Sequence, residues 1–208
     1  MPLDLWLTFC AATTALLLIP GPTVLLVLSY ALSKGRSVAL ASAAGVALGD
    51  FVAMSASLAG LGALVLASAT LFTVLKWAGA VYLVWLGIRL LRSAPSPGLT
   101  AAPGRAITGR GVFWHAAGVT ALNPKSIAFF IAFVPQFVTP AAPLLPQFAI
   151  LTGTFVGLAA LNALAYALLA DRLRATIRRP GVITWLTRAG GGALVVMGAL
   201  TATMRRAA

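Results

Sequence analysis

An all-α integral membrane protein of about six transmembrane helices is predicted by three features of the sequence. Of its 208 residues 61% are hydrophobic, only 9% are charged, and the apolar residues fall into long runs separated by short connections. A mean hydropathy of +1.00 leaves too little polar surface to clothe a water-soluble fold. One span needs about 20 mainly apolar residues to cross roughly 30 Å of hydrocarbon, so six spans use nearly the whole chain and leave no room for a soluble catalytic domain.

The runs lie at about 5–32, 38–66, 70–91, 112–138, 144–170 and 182–204. The first has no basic leader and is far longer than the roughly 7–15 apolar residues of a signal-peptide core, so it is expected to stay as a span. Trp6, Trp85, Trp114 and Trp185 stand toward run ends, where amphipathic rings suit the membrane interface. The single cysteine, Cys10, excludes an internal disulfide and a Cys-based metal cluster. With so few carboxylates, thiols and imidazoles at depth, no metal and no cofactor are expected.

The net charge of +12 is not arranged as a nucleic-acid surface, because the basic residues sit between apolar runs. They read as topology signals. Lys34 and Arg36 follow the first run, Arg92, Arg105 and Arg110 the third, and Arg172, Arg174, Arg178 and Arg179 the fifth, while the second and fourth connections carry none. The basic connections should face the cytoplasm, which puts both termini outside; Arg205 and Arg206 run against this count.

Residues 92–111, rich in Pro, Gly and Ala, read as a cytoplasmic linker between two three-helix halves, 1–91 and 112–208. Three crossings reverse the direction of entry, so the halves would have opposite orientation. Local features recur in matching order: breaks at Pro20-Gly21-Pro22 and Asn123-Pro124-Lys125, glycine pairs Gly45/Gly49 and Gly153/Gly157, and Lys76-x-x-Gly79 beside Arg188-x-x-Gly191. This pattern predicts two inverted repeats with helix breaks in spans one and four. The glycine pairs are expected to permit close helix packing and make a homodimer plausible.

Proline inside a helix removes a hydrogen bond and clashes with the preceding turn, and in hydrocarbon the freed backbone groups need partners. Gly21-Pro22 and Asn123-Pro124 have the order of a helix start, a capping residue followed by proline at the first position. Each break is thus read as the start of a half-helix, whose free N–H groups and positive dipole end attract an anion such as a carboxylate. A plain proline kink is the simpler alternative. On this reading Gly21, Pro22, Thr23, Asn123, Pro124 and Lys125 are candidate substrate-binding residues.

Asp50 is the one acidic residue deep in an apolar run. It stands about 13 residues from the cytoplasmic edge of its span, or roughly 18 Å at about 1.5 Å per residue, and Lys125 lies at a comparable depth of about 20 Å. A lone carboxylate there must be paired, wet or protonated, so the two suggest a buried pair. Asp50 is the candidate for ion coupling or for holding an ammonium, Lys125 for holding a carboxylate; a structural ion pair is the alternative. Asn162 and Tyr166, one turn apart, offer uncharged hydrogen bonds to the pathway or to a neighbouring helix. Lys76 is expected to snorkel to the outer interface and His115 to sit at the cytoplasmic one.

Taken together, Pro20-Gly21-Pro22, Gly45 through Gly49-Asp50, Lys76-Trp77-Ala78-Gly79-Ala80 with Tyr82-Leu83 and Gly87, and Asn123-Pro124-Lys125 followed by Phe129-Phe130 and Pro135-Gln136-Phe137 resemble the LysE/RhtB family, in family order and over essentially the whole chain. The resemblance implies a small secondary exporter of the bacterial inner membrane. It would remove amino acids such as lysine, threonine, homoserine or leucine from the cytoplasm, driven by an ion gradient and exchanging for protons. Two alternatives stay open from the residues. An exporter of another small solute fits an organic acid better than a metal cation, because one deep carboxylate is too few for a metal route. An intramembrane enzyme lacks a second buried carboxylate or a nucleophile motif beside His115.

Overall fold

The computed structural model describes residues 1–19, 21–67, 69–92, 108–139, 142–177 and 180–203. Pro20 and most of the expected linker, 93–107, lie outside the described residues, as do Arg205 and Arg206. The chain runs through α1 (Leu3–Leu18), α2 (Pro22–Lys34), a 3₁₀ turn (Gly35–Val38), α3 (Ala39–Ala67) and α4 (Ala69–Arg92). It continues through α5 (Gly109–Ala121), α6 (Pro124–Ala132), a second 3₁₀ turn (Val134–Phe137), α7 (Leu144–Ile177) and α8 (Pro180–Thr203).

The expected breaks are real breaks. α1 and α2 meet at 56°, α5 and α6 at 45°. Gly21, extended at φ −132°, precedes Pro22 at the first position of α2. Asn123 caps α6 by accepting the Lys125 N–H on its side-chain oxygen at 3.1 Å. Proline costs nothing there, since the first N–H groups of a helix have no intrahelical partner. α2 ends at Gly35, whose φ of 72° is the left-handed conformation that a residue with a Cβ resists.

Three described helices, α3, α4 and α7, are long and apolar enough to cross a membrane, and five spans result if each bent pair counts as one. The sixth expected span coincides with α8, a 24-residue helix outside that count. Large apolar side chains such as Leu40, Val52, Val81, Leu161 and Val196 point outward, as a lipid-facing surface requires. Trp85, Trp114 and Trp185 are exposed, while Trp6 is half-buried and donates its indole N–H to Thr154 Oγ1 at 3.0 Å.

The core is aromatic on the α6 side: Phe130 meets Phe155 edge-on at 4.7 Å, and Phe129, Phe133, Phe137 and Phe9 continue the cluster. Elsewhere helices approach backbone to backbone. A Cβ on Gly49 would stand 2.5 Å from the carbonyl oxygen of Ala117, and one on Gly45 would run into that of Phe113, so α3 lies directly on α5. Gly87 and Gly191 do the same for α4 and α8 reciprocally, each Cβ position falling 2.5 or 2.6 Å from the other's carbonyl. The second glycine pair departs from expectation: Gly153 and Gly157 are exposed and have nothing within 4 Å of a built Cβ.

Candidate functional site

The two half-helix starts meet. Asn123, ahead of α6, donates from Nδ2 to Thr23 Oγ1 in the first turn of α2 at 3.2 Å, and Thr23 shares a 3.3 Å hydroxyl contact with Thr120 at the end of α5. Beside this junction lies a cavity of about 20 Å³, walled by Leu16 and Leu17 of α1, Gly21 and Thr23, Asp50 of α3, Asn123, Lys125 and Ser126, and Asn162 of α7. Elements from both halves of the chain therefore close one pocket, in which these polar side chains stand among apolar ones such as Val24, Val27 and Val46.

Asp50 is 2% exposed, and its Oδ1 has no hydrogen-bond partner among the described residues. An ionised carboxylate at such depth costs at least about 2.5–3.5 kcal/mol when left alone. Lys125, the cation expected to pair with it, lines the same cavity. Its ammonium, however, spends two N–H bonds on the carbonyl oxygens of Leu16 at 3.1 Å and Ile19 at 3.0 Å, and neither goes to Asp50.

Those acceptors explain three of the predicted residues at once. The last carbonyls of a helix lack their regular intrahelical donor, and at the end of α1 Leu16 O alone of the four from Leu16 to Ile19 accepts a backbone N–H among the described residues, that of Ile19 at 3.2 Å. Asn162 Nδ2 donates to Leu17 O at 3.1 Å and Tyr166 Oη to Leu18 O at 3.3 Å. With Lys125 on Leu16 and Ile19, each of the four carbonyls from Leu16 to Ile19 meets a side-chain donor from α6 or α7. The end of α1 is thus capped from the other half of the protein, with a positive charge at the negative end of the helix dipole.

Of the nine residues nominated from sequence, Gly21, Thr23, Asp50, Asn123, Lys125 and Asn162 line the cavity. Tyr166 stands beside it on the α1 end, whereas Pro22 and Pro124 are exposed and shape the breaks without entering the pocket. At α2 no side chain caps the first turn. The N–H of Leu25 bonds Gly21 O, and Thr23 and Val24 of this first turn line the cavity.

Sequence reasoning missed Thr120, Ser126 and the carbonyls of Leu16 to Ile19. It also missed the contact between Tyr30 Oη and His115 Nδ1, 2.6 Å, which joins α2 to α5 on the side where His115 was expected at the interface. A hydroxyl one turn before a helix break was the available signal for Thr120; backbone acceptors carry no sequence signal at all. The side chain of Lys76 lies outside the described residues.

Comparison with known proteins agrees with this architecture. A family profile described as LysE type translocator matches residues 14–205. A homoserine/homoserine lactone efflux protein of Salmonella typhimurium is 36% identical over 207 residues, covering 100% of both chains. An uncharacterized membrane protein of Vibrio cholerae is 34% identical over 99% of this chain and 100% of its own. A leucine efflux protein of Salmonella choleraesuis is 30% identical over 68% of this chain and 66% of its own. No solved structure matches the chain. A profile spanning nearly every helix, with breaks and polar pocket where the family motifs fall, shows that this chain belongs to the LysE type translocator family and is a multi-pass membrane transporter rather than an enzyme.

Proposed function

We propose that the protein exports small amino acids, with homoserine and leucine as first substrates to test, from the cytoplasm across a bacterial inner membrane in exchange for protons. The substrates named for its relatives motivate that choice. The observation that carries the reading is Asp50: a buried carboxylate with an unpartnered oxygen, in a cavity between two broken helices. A substrate ammonium supplies the missing partner, and the uncapped N–H groups of Thr23 and Val24 receive the carboxylate. When the substrate leaves, a proton takes its place on Asp50, and this links the two fluxes.

A cavity of about 20 Å³ admits roughly one water. Loading an amino acid therefore requires the walls to part, and alternating access between inverted repeats, α1–α4 and α5–α8, is the motion proposed. Support comes from packing: α3 lies on α7 and α4 on α8, pairs that a two-fold axis between the halves maps onto themselves, and α3 on α6 is matched by α7 on α2, although among the described residues α4 on α6 has no comparable counterpart between α8 and α2. The proposed orientation puts the basic connections in the cytoplasm and both termini outside.

Counterflow in proteoliposomes tests the role of Asp50. Asp50→Asn is expected to lose the response of homoserine or leucine exchange to an imposed pH gradient. Proton-dependent exchange at the wild-type rate in Asp50→Asn removes Asp50 from the mechanism.

A further inference from the structure

At the carbonyl end of a broken membrane helix, oxygens converge with no N–H to receive them, and transporters commonly fill such a place with a dissociable coupling cation. In this protein the place is taken. We infer that the ε-ammonium of Lys125 is a tethered cation that substitutes for a dissociable one at the end of α1, so that transport proceeds without sodium. The inference rests on the export reading above but concerns a different group, and it makes Lys125 a positioning residue rather than a ligand of the substrate carboxylate.

Four observations carry it. The ammonium bonds two carbonyls of the same terminus, Leu16 and Ile19, at 3.1 and 3.0 Å. Asn162 and Tyr166 hold the two carbonyls between them, so all four are engaged by side chains of the protein and none is left for an ion from solution. Gly21 borders the side chain: a Cβ there would sit 3.3 Å from the Lys125 nitrogen and 3.4 Å from Cε, close enough to press lightly on the ammonium. Finally, Lys125 is 7% exposed on a helix whose own start is capped by Asn123, so its position is fixed by α6 and not by snorkelling to an interface. A cation tied by a four-carbon stem cannot leave with the substrate. It neutralises the α1 dipole in every state and leaves Asp50 as the only buried acid of the pocket free to exchange a partner.

The experiment has two arms. In proteoliposomes, wild-type amino-acid counterflow is expected to be the same within about twofold when sodium is replaced by N-methylglucamine; a requirement for sodium overturns the inference. If no amino acid is exchanged in either buffer, the export reading fails instead, and the second arm decides about Lys125. There, thermal unfolding of purified Lys125→Ala is followed with added propylammonium, the missing part of the side chain, or with tetramethylammonium, which cannot donate a hydrogen bond. Propylammonium is expected to raise the Tm of Lys125→Ala by several degrees and to leave the wild type unmoved, with tetramethylammonium inert on both. Equal responses to the two cations, or an equal response of wild type and variant, overturn the inference. Should Lys125→Ala not fold, Lys125→Met, which keeps the stem and lacks only the charged group, replaces it with ammonium in place of propylammonium and the same expected outcomes, and the sodium arm stands on the wild type alone.

Discussion

Replacing Gly49 with alanine puts a methyl group where α3 touches α5, next in sequence to Asp50. The added Cβ would lie 2.5 Å from the Ala117 carbonyl oxygen, 2.7 Å from Thr120 Cβ and 2.9 Å from the Ala121 nitrogen. Ordinary contact begins near 3.4 Å, so α5 must retreat by the difference between 3.4 and 2.5 Å, about 0.9 Å. Two of the three obstacles are backbone atoms, which no rotamer change can move aside. Overpacking of this kind costs about 1–3 kcal/mol, set against a gain of about 0.5–1 kcal/mol for alanine over glycine in a helix. A net loss of about 0–2.5 kcal/mol, centred near 1, lowers Tm by a few degrees at about 2–4 °C per kcal/mol for a chain of this size. Gly153→Ala is the matched control, because its Cβ meets nothing within 4 Å and only the helix-propensity gain remains. Thermal unfolding of the two purified variants in one detergent is the assay. A Gly49→Ala protein as stable as wild type, or a Gly153→Ala protein that loses as much as Gly49→Ala, refutes the packing account.

Two further substitutions probe the contacts that join the halves. Tyr30→Phe deletes the hydroxyl bonded to His115 and is expected to cost about 0.5–1.5 kcal/mol; in a double-mutant cycle with His115→Phe the second change should add little, and fully additive losses would show that the contact stabilises nothing. Asn123→Ala removes both the cap on Lys125 N and the bond to Thr23, for an expected loss of about 1–3 kcal/mol in thermal unfolding together with slowed counterflow. Wild-type stability in Asn123→Ala would mean that the break needs no cap.

The breaks were legible in the sequence because their cause is local: Gly21-Pro22 and Asn123-Pro124 are helix starts wherever they occur, and the structure bends at both. Depth was legible too, since a fixed rise per residue puts Asp50 and Lys125 at one level, and both line one cavity. Rotation about the helix axis was not. A membrane helix is apolar on every face, so the pattern that orients a soluble helix is missing, and identical glycine spacings end in opposite environments at Gly49 and Gly157. The partners of Lys125, Asn162 and Tyr166 were hidden for another reason: they are carbonyl oxygens, which every residue has, and only the fold decides which of them are left without donors.

The two pieces of span one are gripped unequally by the hydrogen bonds among the described residues. α1 is held at its end by four hydrogen bonds to α6 and α7, two of them from a charged donor, and charged donors form the stronger bonds. α2 is held to α5 and α6 near the pocket by neutral contacts alone, Thr23 with Thr120 at 3.3 Å and with Asn123 at 3.2 Å, and two turns further on by Tyr30 with His115. Neutral bonds of this kind each contribute about 0.5–1.5 kcal/mol, and hydroxyls that part can take up water or substrate instead. Stripped of Lys125, Leu16 O would keep the Ile19 N–H, but Ile19 O would keep no donor among the described residues. Under the proposed alternating access, the α2–α5 contacts are expected to part before those that tie the end of α1 to α6 and α7, so α1 would lag behind the rest of its repeat. The break is what such a division would require: a continuous first span would have to move whole, whereas the severed end of α1 is capped by side chains of α6 and α7.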